Sequence, residues 1–510
     1  MRVPYLESPP DEIPIHLGRQ LFVDDFLIET TTLTRTYHKA KYHPDSPVLV
    51  PDRPWEQGSA PGTSEGGPTA MPFSDGVWYD PQDKLFKMWY MGGYLLNRCY
   101  ATSHDGIHWR KPNLDVVPGT NIVSPGVGDT TTVWLDLDEK NAKKRFKMWR
   151  EERRKSGWGI FYSEDGIHWG AEMARTGSAA SPTTVFYNPF RNVWVHSVRS
   201  SHPSIGRYRR YWETRDPTID IDWKHFTRPN VGPIVGKDPM RLPLWICADK
   251  YDTSYPGLNF RPELYNLDAV AYESVMLGLF SMLRGPRNGP GHNGRPKIKE
   301  LVVGFSRDGF HWHRPDREPI VGISKDVNAW NAGNIQSAGG CCLVVGDKLF
   351  IYASGRRLFA GNHQFCSTGL AIIRRDGFTS MDAGVAGGML TTRPVRFKGN
   401  YLFVNVAADV GEMRVEVLDR SGKVIPSFSK NRCRPIVVNK TQQAVRWQGV
   451  DDLSELADKN EPVRFRFHLR NGQLYSFWVS PDRSGASYGY VAAGGPGFTS
   501  SVDTVGRAEK

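Results

Sequence analysis

A seven-residue segment that recurs along the chain limits the possible folds more than any other sequence feature. Its three close copies are Ser-His-Asp-Gly-Ile-His-Trp at 103–109, Ser-Glu-Asp-Gly-Ile-His-Trp at 163–169 and Ser-Arg-Asp-Gly-Phe-His-Trp at 306–312. Two weaker copies surround Asp216 and Asp376. Successive copies are roughly 50 to 90 residues apart, so the chain repeats a unit of several short strands.

A second repeat lies upstream of these turns. The segment Asp-Lys-Leu-Phe-Lys-Met-Trp at 83–89 returns as Arg-Phe-Lys-Met-Trp at 145–149, and each copy reads as a strand that follows a turn. The stretch 42–50 resembles an outer strand and would close the last unit. The sequence therefore predicts an all-β chain in which residues 1–385 form a five-bladed β-propeller.

The Asp-Gly turns themselves are predicted to be structural. The aspartate can accept hydrogen bonds from its own turn, the glycine supplies a positive φ, and the tryptophan packs between blades. We therefore do not assign catalysis to the aspartates of the repeat, which are Asp105, Asp165, Asp216, Asp308 and Asp376.

The character of the sequence changes after about residue 386. Alternating apolar segments at 402–405, 413–417, 463–467 and 474–478 predict strands, and Asn471-Gly472 predicts a hairpin turn. We expect residues 386–510 to form a β-sandwich domain with a Gly- and Ser-rich tail.

Charge and composition narrow the range of partners. The formal net charge is +11, which suits either plain solubility or an acidic glycan, and no nucleic-acid motif is visible. No apolar run reaches the roughly 18 residues of a membrane helix, so we expect no membrane partner. The N-terminus shows no secretory signal, which predicts a cytoplasmic protein as written, or a periplasmic or secreted one if the sequence is trimmed. The oligomeric state is not predictable from these features.

The repeated turns resemble those of the five-bladed propeller glycoside hydrolases of families 32, 43, 117 and 130. Ser-Pro-Val-Leu-Val-Pro-Asp-Arg-Pro-Trp-Glu at 46–56 is similar to the entry segment of the mannoside phosphorylase family. The C-terminal part resembles the sandwich that follows the propeller in family 32. The Trp-Met-Asn-Asp-Pro-Asn-Gly motif of the fructosidases is absent from the sequence, so the resemblance assigns no specific family.

Glycoside cleavage needs two carboxyl groups that flank one bond. In a propeller, the start of each inner strand and the end of the second strand lie on the same face of the ring. Those positions carry Glu65, Asp129, Glu152 and Asp268. The resemblance favours Asp129 as base or pKa-modulating carboxylate, with Glu152 or Asp268 as acid. The alternatives are that Asp129 caps a turn and that Glu152 pairs with Arg199.

Substrate-binding candidates share the same face. Arg150, Arg199 and Arg356 could clamp a carboxylate or sulfate on a sugar, or neutralise the catalytic acids. Trp330 and Tyr265 could stack on a sugar ring, or pack between blades. We expect no metal site and no cofactor, and a structural Ca²⁺ has no support in the sequence.

The resemblance implies a glycoside hydrolase that cleaves a plant or algal glycan, with or without acidic groups. Exo action is favoured because such funnels often end in a closed pocket. Two alternatives stay open. A glycoside phosphorylase would use the arginines to hold inorganic phosphate, and a noncatalytic glycan-binding propeller would use the carboxylates to bind hydroxyls.

Overall fold

A computed structural model describes residues 2–63, 66–153, 155–223, 242–286, 296–359, 363–450 and 452–506. Strands make up 47% of the structure and helices 4%, so the predicted all-β class is confirmed. The two α-helices described are short, Pro4–Glu7 (α1) and Ser454–Lys459 (α2). Neither is long and apolar enough to cross a membrane, and the same holds for every helix in the described part of the chain.

The strands fall into four groups along the chain. The first group comprises β1 (Ile13–Pro14), β2 (Gln20–Leu21), β3 (Ile28–Thr31), β4 (Thr34–Tyr37) and β5 (Lys41–Tyr42). The second comprises β6 (Ala70–Asp80), β7 (Leu85–Gly92), β8 (Asn97–Ser103), β9 (Ile122–Ser124), β10 (Thr131–Leu135), β11 (Phe146–Glu151), β12 (Trp158–Ser163), β13 (Ala174–Arg175), β14 (Ala180–Asn188), β15 (Val193–His202), β16 (Gly206–Thr214) and β17 (Leu244–Cys247).

The third group comprises β18 (Glu263–Glu273), β19 (Val275–Gly285), β20 (Ile298–Ser306), β21 (Gly333–Ser337), β22 (Leu343–Val345), β23 (Lys348–Phe359) and β24 (His363–Arg374). The last comprises β25 (Thr379–Ala383), β26 (Gly388–Thr392), β27 (Val395–Arg396), β28 (Tyr401–Ala407), β29 (Glu412–Leu418), β30 (Asn439–Ala444), β31 (Arg464–Arg470), β32 (Gly472–Ser480) and β33 (Tyr490–Val491).

Five antiparallel sheets follow one another between residues 70 and 374. Sheet 1 is β6-β7-β8-β9, sheet 2 is β10-β11-β12-β13, and sheet 3 is β14-β15-β16-β17. Sheet 4 is β20-β19-β18 with β33 beside β18, and sheet 5 is β21-β23-β24 with β5 at its edge. Strand β5 belongs to the N-terminal segment that was predicted to close the last blade.

Each of the five sheets contacts the next one, and the fifth contacts the first. The rings of Trp78 and Trp134 are 4.6 Å apart, which joins sheets 1 and 2, and the rings of Trp149 and Trp194 join sheets 2 and 3 at 5.1 Å. The remaining junctions are hydrogen bonds from Thr184 Oγ1 to Leu267 O, from Ser337 Oγ to Asp268 Oδ2 and from Thr368 Oγ1 to Ala70 O. Sheet 5 thus returns to sheet 1, and the five sheets form a ring.

The Asp-Gly turns help to hold this ring together. In the first turn, Asp105 Oδ1 accepts hydrogen bonds from the amides of Ile107 and His108, and Ser103 Oγ accepts one from the amide of Gly106. The carbonyl of Gly106 accepts a hydrogen bond from Tyr352 of sheet 5. The second turn packs on sheet 1 and the third on sheet 3 in the same manner, through the contacts of Gly166 with Trp89 and of Asp308 with Asn188.

Two further sheets contain most of the remaining strands. One has the order β30-β28-β32-β25-β4 with β2 also paired to β32, and the other has the order β29-β31-β26-β3. Their facing side chains form one apolar core that includes Phe22, Phe465, Phe467 and Phe477. The predicted domain boundary at residue 385 stays a prediction. The pairings add that residues 28–37 join strands from beyond residue 378.

The Gly- and Ser-rich tail returns to the ring. Strand β33 pairs with the end of β18, and the following residues cross one end of the ring. The tail contacts all five sheets, at Tyr79, Asp138, Phe190, Ala271 and Cys342. Its side chains are largely buried, because this segment covers the ends of the inner strands.

A buried ion network joins the tail, the N-terminal segment, the ring of five sheets and the two further sheets. Arg19 lies 3.1 Å from Asp376 and 3.4 Å from Glu273, while Arg375 lies 3.1 Å from both Glu273 and Asp503. All five side chains are at most 2% exposed. Burial raises the pKa of Asp376, but Arg19 and Arg375 outweigh it and lower that pKa to about 2.

Candidate active site

The inner strands of the ring, β6, β10, β14, β18 and β21, all start at the end opposite the tail, which we call the mouth. A group of charged and aromatic side chains converges there from all five sheets. We call it the mouth cluster: Tyr94, Asp129, Glu151, Arg199, Tyr265, Lys299 and Arg356. Four of these seven residues, Asp129, Arg199, Tyr265 and Arg356, are among the sequence-predicted site residues.

Asp129 lies just before β10 and is held there through its backbone. Arg98 donates hydrogen bonds to the carbonyls of Gly128 and Asp129, at 3.1 and 2.8 Å, and Glu151 accepts the Asp129 amide at 2.8 Å. Among the described residues, no group donates a hydrogen bond to the Asp129 carboxyl, which is half-buried. Burial and the charge of Glu151 raise its pKa, against the opposing effect of Arg356.

The carboxylate beside Asp129 is Glu151 and not Glu152. Glu151 Oε2 accepts hydrogen bonds from the Asp129 amide and, at 2.5 Å, from Ser181 Oγ. Glu152 points to the other side, where it pairs with Arg175 at 2.5 Å and Lys155 at 3.0 Å. Successive residues on a strand face opposite ways, so an alignment shifted by one residue selects the wrong side chain. Glu152 also does not pair with Arg199, which was the alternative considered for it.

Asp268 lies deeper, at the centre of the ring. Its Oδ2 accepts hydrogen bonds from Ser74 at 3.0 Å, Asn266 at 3.1 Å and Ser337 at 2.5 Å, which come from sheets 1, 4 and 5. Burial raises the pKa of Asp268 to about 6, although these hydrogen bonds oppose the shift. The side chain is 3% exposed and its acceptor oxygen is occupied, so it organises the ring below the mouth cluster. Glu65, the fourth predicted carboxylate, lies outside the described residues.

Two of the three predicted arginines, Arg199 and Arg356, lie in the mouth cluster, and the third, Arg150, lies outside it. Arg356 is buried, donates to Gln364 Oε1 at 3.0 Å and lies 5.2 Å from the centroid of the Tyr94 ring. Arg199 is half-buried and donates to the carbonyl of Ser181. Arg150 instead turns toward sheet 1, where it donates to Ser124 and to the carbonyl of Pro125. Burial and the neighbouring Arg98 lower the pKa of Arg150 to about 10.

The two predicted aromatic residues also differ in position. Tyr265 lies in the mouth cluster, with the Lys299 ammonium 3.5 Å from its ring centroid. Trp330 packs on the face of sheet 5, because Gly355 and Gly369 leave room for its indole there. A Cβ atom at Gly369 would lie 1.9 Å from that indole. Trp330 thus packs against sheet 5 and is half-buried there, outside the mouth cluster.

Lys299 belongs to the mouth cluster and was not predicted. Its side chain is fully buried, and Nζ donates to Gln336 Oε1 at 2.7 Å. Burial, followed by the charge of Arg356, lowers its pKa well below the usual value. The signal in the sequence was a lysine near the start of a strand that is apolar at most other positions, Ile-Lys-Glu-Leu-Val-Val-Gly-Phe at 298–305. A lysine is seldom fully buried without a partner group.

The mouth cluster holds more positive charge than its carboxylates pair with. Arg199, Lys299 and Arg356 form no ion pair within the residues that the structure describes. Holding unpaired cations away from water is unfavourable, and an anion among them would relieve that cost. The arrangement can therefore bind a negatively charged group next to a carboxyl that retains its proton more readily than usual.

Metal ligands do not form a group at this site. In the described ranges, no three His, Cys, Asp or Glu side chains are placed to hold a metal ion. The six cysteines are free thiols, five of them buried.

The similarity of this chain to known proteins is visible in its structure and not in its sequence. No family model matches the chain, and no curated protein matches it. An N-acetylgalactosamine deacetylase from F. plautii, solved with blood group B trisaccharide, is similar with 16% identity, a TM-score of 0.43 and coverage of 65% of this chain and 97% of that chain.

Glycoside hydrolases are also among the similar structures. A thermostable family-43 glycoside hydrolase shares 12% identity, a TM-score of 0.39 and coverage of 60% and 93% of the two chains. A member of the GH130 family of mannoside phosphorylases and hydrolases shares 12% identity, a TM-score of 0.37 and coverage of 70% and 96%. These solved structures fit the resemblance noted in the sequence, and no specific family follows from it. TM-scores this low establish neither a shared fold nor a shared activity.

Proposed function

We propose that this chain is a glycosidase built as a five-bladed β-propeller with a C-terminal β-sandwich. The observation that carries the proposal is Asp129, a half-buried carboxyl with a raised pKa that faces Arg199 and Arg356 at the mouth of the ring. A carboxyl that holds its proton more tightly than usual is suited to donate that proton to the oxygen of a leaving sugar. The blades are the five sheets of the ring, and the sandwich is the pair of sheets around the second core.

Asp129 is proposed as the general acid, and not as the base or pKa-modulating carboxylate that the resemblance favoured, because its pKa is raised. Glu151 is proposed as the residue that positions it. The Glu151 carboxylate accepts hydrogen bonds from the Asp129 amide and the Ser181 hydroxyl. These hydrogen bonds hold Glu151 next to Asp129. Its negative charge raises the Asp129 pKa. Glu65 stays one of the four predicted catalytic carboxylates. Asp268 is not proposed to react, because it is buried beneath the cluster and accepts three hydrogen bonds.

The substrate is proposed to be an acidic glycan of plant or algal type, cleaved from one end. Arg199 supports this charge, because it is half-buried, forms no ion pair with a described residue and could pair with a carboxylate or sulfate on the sugar. The buried Arg356 behind it would add to the attraction. Phosphorolysis is the second candidate, since the same cations could hold inorganic phosphate. In a noncatalytic glycan-binding protein, Asp129 would only accept hydroxyl hydrogen bonds.

The test is a turnover screen of the purified chain on aryl glycosides and acidic oligosaccharides, with and without phosphate. Asp129→Asn is expected to remove turnover, and Glu151→Gln to reduce it. Glu152→Gln is the matched control, because it removes the same charge one residue further along and outside the cluster. A strict need for phosphate would replace hydrolysis by phosphorolysis, and binding without turnover would favour the glycan-binding alternative.

The charge of the substrate is tested with Arg199→Gln, because Arg199 is the half-buried cation of the mouth cluster. We expect this variant to lose activity on a uronic acid glycoside and to keep it on the corresponding methyl ester. Equal loss on both substrates would contradict a role for Arg199 in pairing with the acidic group. Activity of Asp129→Asn equal to that of the original chain would contradict the site.

A further inference from the structure

A groove of about 420 Å³ lies on the outer face of the sheet β29-β31-β26-β3. It crosses three strands where Met389, His468 and Arg414 are neighbours in register. Arg470 lies two residues further along β31, and Lys430 lies beyond the edge strand β29. None of these residues belongs to the mouth cluster, so the groove is a second feature of the surface.

Positive charge exceeds negative charge in this groove. Arg414 contacts both carboxylate oxygens of Glu412, at 2.8 and 3.3 Å. Arg470 and Lys430 are exposed, and neither forms an ion pair with any described residue. The groove therefore offers two free cations beside a guanidinium that already binds a carboxylate in a two-point geometry.

The other lining groups suit a sugar better than a nucleotide. Met389 is 40% exposed and presents an apolar patch, while Thr32 adds a hydroxyl and Gly387 exposes backbone. A sugar ring has an apolar C–H face and polar edges, which matches this mixture. Nucleic-acid grooves carry aromatic side chains on which bases stack, and no Phe, Tyr or Trp is among the described residues that line this one.

We propose that this groove binds a carbohydrate chain that bears carboxylates, as a site separate from the mouth cluster. Arg470 and Lys430 pair with carboxylates of the chain, and Met389 packs on a sugar ring between them. The commitment to carboxylates rests on Arg470, whose exposed guanidinium has the planar geometry that matches a carboxylate at two points, whereas Arg414 is already paired with Glu412. The net charge of +11 would assist the approach of such a chain.

The probe is polygalacturonate, titrated calorimetrically at low salt. All variants carry Asp129→Asn, so that cleavage at the mouth does not change the probe. The groove variant adds Arg470→Gln and Lys430→Gln. The control adds Lys398→Gln and Lys440→Gln, which removes the same charge from exposed positions outside the groove lining.

We expect the groove variant to bind polygalacturonate about tenfold more weakly and the control to change affinity by less than about twofold. Equal weakening of both would show unspecific attraction and overturn the proposal, as would no change in either. Equally tight binding of neutral dextran, or tighter binding of dextran sulfate, would overturn the commitment to carboxylates. The readout is binding, so the absence of turnover in the glycoside screen would contradict the proposed function and leave this inference standing.

Discussion

The two ends of the ring are built from the same inner strands and differ in almost every physical property. At the mouth, charged side chains gather near the strand starts, and Asp129 is half-buried beside Arg199 and Arg356. At the other end, apolar residues such as Val270 and Leu135 lie close to the strand ends, and the tail packs near them. One end can therefore bind polar molecules, and the other end stabilises the fold.

Charges are also treated differently at the two ends. The buried network below the tail pairs each of its cations with carboxylates, as Arg375 does with Glu273 and Asp503. Within the described parts of the chain, the mouth leaves Arg199, Lys299 and Arg356 without such partners. Satisfied charges are expected where the role is structural, and unsatisfied ones where a ligand supplies the missing partner. The comparison thus supports the proposed site at the mouth, and the following experiments test it.

The largest effect is expected for Asp129→Asn. Loss of a general acid should lower kcat/KM by about 10² to 10⁴-fold, with an unchanged or slightly higher melting temperature, because the Asp129 carboxyl accepts no hydrogen bond in the described structure. Steady-state kinetics and thermal unfolding measure both quantities. Asp138→Asn, at the tail end, is the control and should leave kcat/KM unchanged. A stability loss comparable to the activity loss would indicate a structural role for Asp129.

At the closed end, Arg375→Gln is expected to cost stability and not activity. It leaves Glu273 and Asp503 buried without their shared partner, so the free energy of unfolding should fall by about 3 kcal/mol or more. Urea unfolding measures the change. If the variant that remains folded also loses substrate affinity, the two ends are coupled and their separation in this comparison is wrong.

The pH dependence of stability should reveal Asp75, which lies on β6 and is 3.3 Å from Arg98. Burial raises its pKa to about 7 in the folded chain, against an ordinary value near 3.8. The folded state therefore holds the proton more tightly, and stability falls as pH rises from about 4 to about 7. Asp75→Asn should flatten that fall in unfolding experiments at pH 4.5 and 8. An unchanged slope would contradict the raised pKa.

A smaller effect is expected on the pH–rate profile of Glu151→Gln. Removing the neighbouring negative charge should lower the Asp129 pKa, so that activity declines at a lower pH on the alkaline side. Glu152→Gln should not shift the alkaline side of the pH–rate profile, since Glu152 pairs with Arg175 outside the mouth cluster. A shift caused by Glu152→Gln, with none caused by Glu151→Gln, would reverse the assignment.

The smallest effect is expected for Arg420→Gln, which breaks an exposed ion pair with Glu12. Exposed pairs of this kind contribute little to stability because water screens them, so the unfolding free energy should barely change. If the free energy of unfolding fell as much as in Arg375→Gln, the exposure of an ion pair would not predict its contribution to the stability of this chain.

Repetition in the sequence predicted much of what the structure shows. The Ser-x-Asp-Gly turns were assigned a structural role, and their hydrogen bonds match that role at Asp105, Asp165 and Asp308. The convergence of Asp129, Arg199, Tyr265 and Arg356 followed from placing inner-strand starts and second-strand ends on one face. These are local properties, since a turn and an alternating strand are specified by residues close in the chain.

The direction in which side chains point at the strand ends could not be predicted from neighbouring residues in the sequence. The choice between Glu151 and Glu152 depends on a one-residue register, and Arg150 faces sheet 1 for the same reason. Lys299 entered the cluster only because sheet 4 places it over Tyr265, which lies more than thirty residues away in sequence. Trp330 packs on sheet 5 because two glycines from different strands leave space for it.

By itself, the sequence determined the all-β class, the repeated turns and the strand positions from which a site could be assembled. Those features depend on alternation and on turn chemistry, which act over a few residues. The tertiary structure alone decided which carboxylate stands beside Asp129, which cations lack partners and where the tail lies. Pairing, burial and pKa depend on groups brought together from distant parts of the chain, and their free energies exist only once the ring has formed.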